Sequence, residues 1–578
     1  MINLEPIFNY LIKTDTCKVL SNNEVQNLDY HFHPNCPVWE IETEITYKGV
    51  SKPLTLYMNF PDDFPYSIPK IFIKKEIYEE IKFIPHINKD FSICIFDEGL
   101  NNTFPIKSII DIVEYIIHQA KYIIKSSEDE EYNIKEFKKE FKAYWEIEYG
   151  NHDKTSNLGL HLLNSTNPEL IKGIRLKNKL SNYEIILYNE GHSWDSFKKY
   201  LDYKTVKYDI INVFVIDNIF TTPPYDLTYK QSLEIIRNLK IYNEFKLSLK
   251  ASNIDNTLVI FSNITDDRTE IYGWIYNNLL IPLSTLKGTR KKLSNLEILE
   301  HPIFGNSNVH RMTFDDLTPE RLQLRTSGII EEHKSIVISG LGSVGSNLIH
   351  FIKNLPINRI HLIDDEGLRL ENINRHFLGF NYINNRKVQA IKDQLINSNP
   401  FCEVDVLTKK VQIVVNENPN FINDCDFHVV CIGETMIENL ILNSVIENKI
   451  TKPIILFWVE PFLASGQMLF INPIDSKKAI DLINNFEYNI LSSEISNRDK
   501  TYLKEGTCQS GYFPYSSTYL IQFLSAIFPY LKAHIIEGNM VSTIYSWIGD
   551  KDLLETLQLE ITDFAKSQSS YNLIINHL

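Results

Sequence analysis

At 578 residues the chain is too long for one hydrophobic core, which sets an expectation of about two to four domains. Hydrophobic residues make up 43% and charged residues 23%, an ordinary globular balance, and a net charge of −15 with no long basic run excludes a nucleic-acid footprint. No stretch reaches the roughly 18 consecutive apolar residues of a membrane helix. The start, MINLEPIFNYLIKTDT, has neither a basic leader nor a small-residue cleavage site, so a cytoplasmic protein with no membrane and no nucleic-acid partner is expected. Cys17, Cys36, Cys94, Cys402, Cys425, Cys431 and Cys508 lie scattered, with no C-x-x-C pair. That pattern predicts free thiols in a reducing compartment and no structural zinc.

In VWEIETEITY, starting at Val38, Trp39, Ile41, Thr43, Ile45 and Tyr47 alternate with Glu40, Glu42 and Glu44, the period of a half-buried strand. PLTLYMNF repeats the device with Leu54, Leu56, Met58 and Phe60. In PDDFPYSIPKIFI, Pro61, Pro65 and Pro69 break pairing and fix an extended path before a short apolar strand. HINKDFSICIFDEG then sets Cys94 in a short apolar patch, where a small buried hydrophobe and a nucleophile fit equally well. Ile109, Ile112, Val113, Ile116, Ile117, Ala120, Ile123 and Ile124 form one helical face that packs on a sheet. This order predicts an α+β domain over 1–148. Its last part, SSEDEEYNIKEFKKEFKAYWEIEY, mixes acid and base and reads as an exposed helix entering a linker. Residues 149–310 alternate apolar strands (YEIILYN, VKYDIINVFVID, TLVIFSN) with helical stretches, which predicts a mixed α/β linker domain without chemistry of its own.

KSIVISGLGSVGSNLIHFIKNL runs from a strand through Gly340, Gly342 and Gly345 into a helix carrying Val344, Leu348, Ile349 and Ile352. The first glycine allows the tight turn, the second lets backbone approach a phosphate, and the third lets helix and strand pack closely. A second strand ends in Asp364, where a carboxylate can bind a ribose. A nicotinamide dehydrogenase would use the same features. DDEGLRLENINRHFLGFNYINNRK adds Glu366, Asn372, Arg375 and Lys387, more nitrogen than a dehydrogenase needs. Arg375 and Lys387 can neutralise charge developing during attack at an α-phosphorus, and Asn372 can hold a phosphate oxygen or a metal-bound water. Residues 311–578 are therefore expected to form a Rossmann-like domain with a mostly parallel sheet. Cys402, Cys425 and Cys431 are expected in its core.

Two resemblances sharpen these expectations. Residues 1–148, with the meander, the FPDDFPYSIPK turn, PHIN and the cysteine before a long helix, resemble a ubiquitin-conjugating-enzyme fold. The resemblance implies that Cys94 carries a modifier as a thioester and that Asn88 polarises the attacked carbonyl, although PHIN departs from His-Pro-Asn and lies closer to the cysteine. The pattern D-x-[DE]…N-x-x-R…K, within 335–531, resembles the ThiF/MoeB and ubiquitin-activating adenylation domains. It implies ATP, which joins AMP to a protein C-terminal carboxylate, and Mg2+ bound by Glu434 of CIGET where the family has an aspartate. It further implies that Arg321 or Arg325 of LTPERLQLRTSG reaches the ATP site of a partner subunit, and that Cys508 takes the acyl group. The whole arrangement resembles the fused ubiquitin-transferase-like proteins of bacterial CBASS antiphage operons. That resemblance implies a homodimer, a cGAS-like nucleotidyltransferase tail as substrate and a target protein amine as acceptor. A sulfur-carrier adenylyltransferase of cofactor biosynthesis, with Cys94 idle, is the alternative beside the NAD-dependent oxidoreductase.

Overall fold

The computed structural model describes residues 4–28, 30–81, 83–95, 108–146, 157–251, 256–266, 268–276, 294–485, 488–493, 495–504 and 511–578. They pack as two compact units, Met1–Asn189 with Lys207–Asp316, and Glu190–Val206 with Leu317–Leu578.

The first unit begins with an antiparallel sheet in the order β1 (Thr16–Val19), β2 (Val38–Tyr47), β3 (Val50–Asn59) and β4 (Lys70–Ile73). In β2 the apolar members of the alternation are buried while Glu42 and Glu44 face water, as period two requires. Lys48 and Gly49, both at positive φ, make the two-residue turn whose twist matches the flanking strands. The helix Ile109–Ser126 starts from a capping box of Ser108 with Asp111, and it buries the expected stripe from Ile112 to Ile124 against this sheet.

The middle segment is a closed barrel of β5 (Asn157–Leu162), β6 (Lys172–Leu180), β7 (Tyr183–Tyr188), β8 (Tyr208–Ile216), β9 (Thr257–Ile264), β10 (Thr269–Ile275) and β11 (His310–Asp316), in the order β10-β11-β5-β7-β6-β8-β9. The helices Glu130–Lys139 and Phe141–Trp145 correct the expectation of an exposed linker helix. Their Phe137, Phe141, Tyr144 and Trp145 are buried in one cluster with the barrel's Phe261, Tyr272 and Trp274. The indole N–H of Trp145 donates to the Met312 carbonyl at 3.0 Å. Aromatic residues at i, i+4, i+7 and i+8 override the charged composition around them, because each buried ring contributes more than a surface ion pair does.

The second unit holds one eight-stranded sheet. Its order is β14 (Glu403–Leu407), β13 (Ile357–Ile363), β12 (Lys334–Ser339), β15 (Phe427–Val430), β16 (Ile454–Val459), β17 (Ser465–Ile471), β20 (Thr543–Ile548) and β21 (Leu573–His577); a separate short pair is β18 (Leu503–Lys504) with β19 (Gly511–Tyr512). The run from β14 to β16 is parallel and the rest antiparallel, so the mostly parallel sheet is found. The chain leaves β12 to one side for β13 and returns to its other side as β15. Crossover helices on opposite faces leave a crevice at the carboxyl ends of β12 and β15, where such sheets bind ligands. Among the described residues no helix is long and apolar enough to cross a membrane.

Candidate functional site

The turn after β12 sits at that crevice, and its three glycines differ in what they require. Gly340 has φ +86°, and a Cβ there would lie 2.8 Å from the Cys431 carbonyl oxygen. A Cβ on Gly345 would come within 2.0 Å of the Gly340 carbonyl oxygen, so helix and strand touch backbone to backbone. At Gly342 a Cβ meets nothing within 4 Å, and the space above the turn is open to a ligand. Gly342 caps the helix Ser343–Ile352, whose first backbone N–H groups have no helical partner and bind anions readily.

Several side chains brace this turn. The Asp364 carboxylate accepts from the Leu341 N–H at 2.6 Å and from the Glu366 N–H at 2.8 Å. Burial raises its pKa above the ordinary value against the pull of those two amides. His376 makes an Nε2 contact of 2.8 Å with the Leu341 carbonyl, and burial lowers its pKa to about 4, so it is the neutral donor. Ser343 Oγ and Asn347 Nδ2 both donate to the Arg375 carbonyl at 2.8 Å. The Arg375 guanidinium donates to the Phe513 carbonyl at 3.0 Å and lies 5.1 Å from the Tyr515 ring centre. Lys387 is buried and donates to Glu366 at 2.5 Å; that hydrogen bond holds Glu366 below its usual range. Asn372 Oδ1 accepts from the Arg369 N–H at 3.0 Å, closing a short turn.

The turn thus gathers Gly340, Gly342, Gly345, Asp364, Arg375 and, through Glu366, Lys387. Glu434 is exposed at the start of the helix Thr435–Ile446. Arg321 is half-buried and Arg325 exposed on the helix Pro319–Ser327. Cys402, Cys425 and Cys431 are buried, as expected of core thiols. Cys508 lies outside the described residues.

In the first unit Cys94 is exposed, directly after the bridges Phe72↔Ser92 and Ile87↔Ile93. Its backbone N–H donates to the His86 carbonyl at 2.7 Å. His86 has φ +66° and stands between Glu140 at 2.7 Å and Glu136 at 3.4 Å. Burial pulls the His86 pKa down, but the two carboxylates outweigh it and the net shift is upward. The side-chain amide of Asn88 donates to Ser92 Oγ at 3.0 Å, so it is tied to its own loop.

Glu438 was not singled out from the sequence. It lies on the buried stripe with Ile441, Leu442 and Val445 and lines a cavity of about 470 Å3 beside the glycine turn. An acid at i on a stripe continued at i+3, i+4 and i+7 was the available signal.

Two family models match parts of the chain. The ThiF family model matches residues 330–508, and the model of Prokaryotic E2 family B matches residues 36–152. The chain joins an E2-like domain to a ThiF domain. Ubiquitin-like modifier-activating enzyme 5 of Caenorhabditis elegans is 26% identical over 149 residues, 22% of this chain and 35% of that protein. The Caenorhabditis briggsae enzyme of the same name is 29% identical over 90 residues, 15% of this chain and 21% of the other. The chain therefore spans about a third or less of these relatives' length. Among solved structures, selenomethionine PaaA is 15% identical with a TM-score of 0.32, covering 45% of this chain and 76% of that one. MccB of E. coli with ATP is 12% identical with a TM-score of 0.26, covering 42% and 64%.

Proposed function

We propose that the chain is an ATP-dependent protein-conjugating enzyme. It adenylates the C-terminal carboxylate of a protein, carries the acyl group on Cys508 and then Cys94, and delivers it to an amine. The observation that carries this reading is the grip of Ser343 and Asn347 on the Arg375 carbonyl. It fixes the segment that bears a cation to the helix after the glycine turn, where a dinucleotide site needs only the turn and Asp364.

A nucleotide fits the residues present. The open space at Gly342 admits phosphate, the start of the helix Ser343–Ile352 attracts the anion, and Asp364 stands on the β13 side for the ribose. Arg375 and the Glu366-paired Lys387 supply positive charge for the α-phosphate as the carboxylate oxygen attacks and pyrophosphate leaves. Mg2+, when bound, neutralises the leaving phosphates. Glu434, exposed at the start of the helix Thr435–Ile446, would offer it one hard oxygen. The Cys508 thiolate then attacks the acyl carbonyl and AMP leaves. The Cys94 thiolate attacks that thioester and the Cys508 thiolate leaves. The acceptor amine attacks in turn, releasing the Cys94 thiolate and losing a proton. Both thiols on one chain raise their mutual effective concentration. Within this proposal the enzyme works as a homodimer, to which Arg321 or Arg325 contributes, and its substrate is a cGAS-like nucleotidyltransferase in antiphage defence.

The test is ATP–pyrophosphate exchange with candidate protein tails, alongside thermal shift with ATP–Mg2+ and with NAD. Exchange that is lost in Arg375→Ala supports the reading. Stabilisation by NAD alone, with no exchange, overturns it in favour of the oxidoreductase.

A further inference from the structure

The cavity beside the glycine turn runs beneath the ends of β15 and β16, and Phe457, Trp458, Tyr488 and Phe513 are among its walls. Among the described residues that line it, none is Lys or Arg. It contains two buried acids in different situations. Glu460 is fully engaged, accepting from Ser465 Oγ at 2.6 Å, the Ile490 N–H at 2.8 Å and the Leu491 N–H at 3.1 Å. Glu438 is only 3% exposed, and among the described residues its Oε1 has no hydrogen-bond partner. A buried acceptor left unpaired is destabilising, and an aliphatic residue would continue the stripe of Ile441, Leu442 and Val445 without that cost. Glu438 Oε1 is therefore, among the described residues, an acceptor open to a donor carried by a ligand in the cavity.

The sheet order says where that donor comes from. Asp364 ends β13 on one side of β12, whereas the cavity lies on the other side, under β15 and β16. A nucleotide with its ribose toward Asp364 and its phosphates on the turn directs its reaction partner into the cavity. A volume of about 470 Å3 lies in the range that encloses a drug-sized molecule, so it accommodates side chains of a tail as well as its terminal carboxylate. Glu434 stands one helical turn before Glu438 and, after burial, raises its pKa, while the Arg375 guanidinium lies at the wall formed by Phe513 and Tyr515. Aromatic walls add favourable faces for a cation.

We infer that Glu438 is the specificity-determining residue for the substrate tail and pairs with a Lys or Arg side chain near the tail's C-terminus. This rests on the adenylation reading for the tail's presence, but the pairing itself is a binding property and can be measured without any reaction.

The experiment uses the full chain, without ATP or divalent cation, and fluorescein-labelled hexapeptides ending in a free carboxylate. Lys, Gln, norleucine or Glu occupies each of the three positions before the last, and binding is read by fluorescence anisotropy. At one position the Lys peptide binds about tenfold more tightly than the norleucine peptide, a typical margin for a desolvated charge pair. Glu438→Gln, which keeps the shape, brings that ratio near unity while leaving the norleucine peptide's affinity unchanged, and Glu438→Lys turns the preference toward Glu. Melting curves confirm that each variant is folded. No binding by any peptide, no Lys preference in the parent, or a preference that survives Glu438→Gln overturns the inference. A drop in Mg2+ affinity in Glu438→Gln with an unchanged peptide ranking also overturns it, assigning the carboxylate to a metal. Preserved Lys preference with no pyrophosphate exchange for any tail would sink the adenylation reading and leave the cation pocket standing.

Discussion

Ser343 Oγ, in the first turn of the helix after the glycines, donates to the backbone carbonyl of Arg375 at 2.8 Å, 32 residues further along the chain. With Asn347 on the same carbonyl, this fixes the segment bearing the arginine to the helix that would receive a phosphate. Removing both donors, as Ser343→Ala with Asn347→Ala, leaves the carbonyl unpaired at a cost of about 1–3 kcal/mol in stability. Misplacing the guanidinium lowers pyrophosphate exchange by about tenfold or more. Denaturant melts and the exchange assay read the two effects separately.

The glycines of the turn separate folding from binding. Gly345→Ala forces a Cβ toward the Gly340 carbonyl oxygen and destabilises the second unit by about 1–3 kcal/mol. Gly342→Ala meets open space, so its melting temperature without nucleotide stays near that of the parent. Its stabilisation by ATP is lost, because the methyl group occupies the ligand's side of the turn. Melting curves with and without ATP test both outcomes.

Glu438 makes stability depend on pH. Burial, with Glu434 nearby, pushes its pKa up to about 7, so the folded chain holds a proton that the unfolded chain releases at lower pH. Its contribution therefore falls as pH rises from about 4.5 to about 7 and stays low above that. Glu438→Gln is expected to match the parent at pH 4 and exceed it at pH 8 by roughly 2–3 kcal/mol. Urea melts at the two pH values are the measurement.

His86 has a dependence of the same sign, because its pKa too is raised in the folded chain. Its pairing with Glu140 and Glu136 is at full strength below about pH 6.5, the ordinary His value. The contribution is lost as pH climbs through the raised value. The Cys94 N–H bonds to the His86 carbonyl, so its hydrogen-exchange protection, corrected for intrinsic rate, is expected to fall between pH 6 and pH 9. In His86→Gln the protection is weaker at pH 6 and flat with pH.

Much of this was legible in the chain because single periodicities carry it. The alternation in VWEIETEITY and the stripe from Ile112 to Ile124 each specify one face, and the structure buries that face. The glycine turn was legible because backbone contact at Gly345 leaves no other residue possible. The barrel closure was not, since it depends on β5 pairing in parallel with both β7 and β11, contacts that no local pattern encodes. Trp145 was hidden among charges, and its burial follows from three other rings, on its own helix and the one before, that enter the same cluster. The clasp around Arg375 was out of reach for a similar reason: Ser343 and Asn347 read as ordinary helix residues until the chain returns 28 residues later to present its carbonyl.

Intact-mass spectrometry of the full chain as Cys94→Ser, isolated from cells that also express candidate tail proteins, tests the thioester handover most directly. A serine at that position holds the acyl group as a stable ester. The expected product is the chain plus one partner protein less one water, abolished by hydroxide and absent when Cys508→Ala or Arg375→Ala is added. An adduct that persists in either double variant, or no adduct when the Cys508 ester is itself trapped by Cys508→Ser, would contradict the relay.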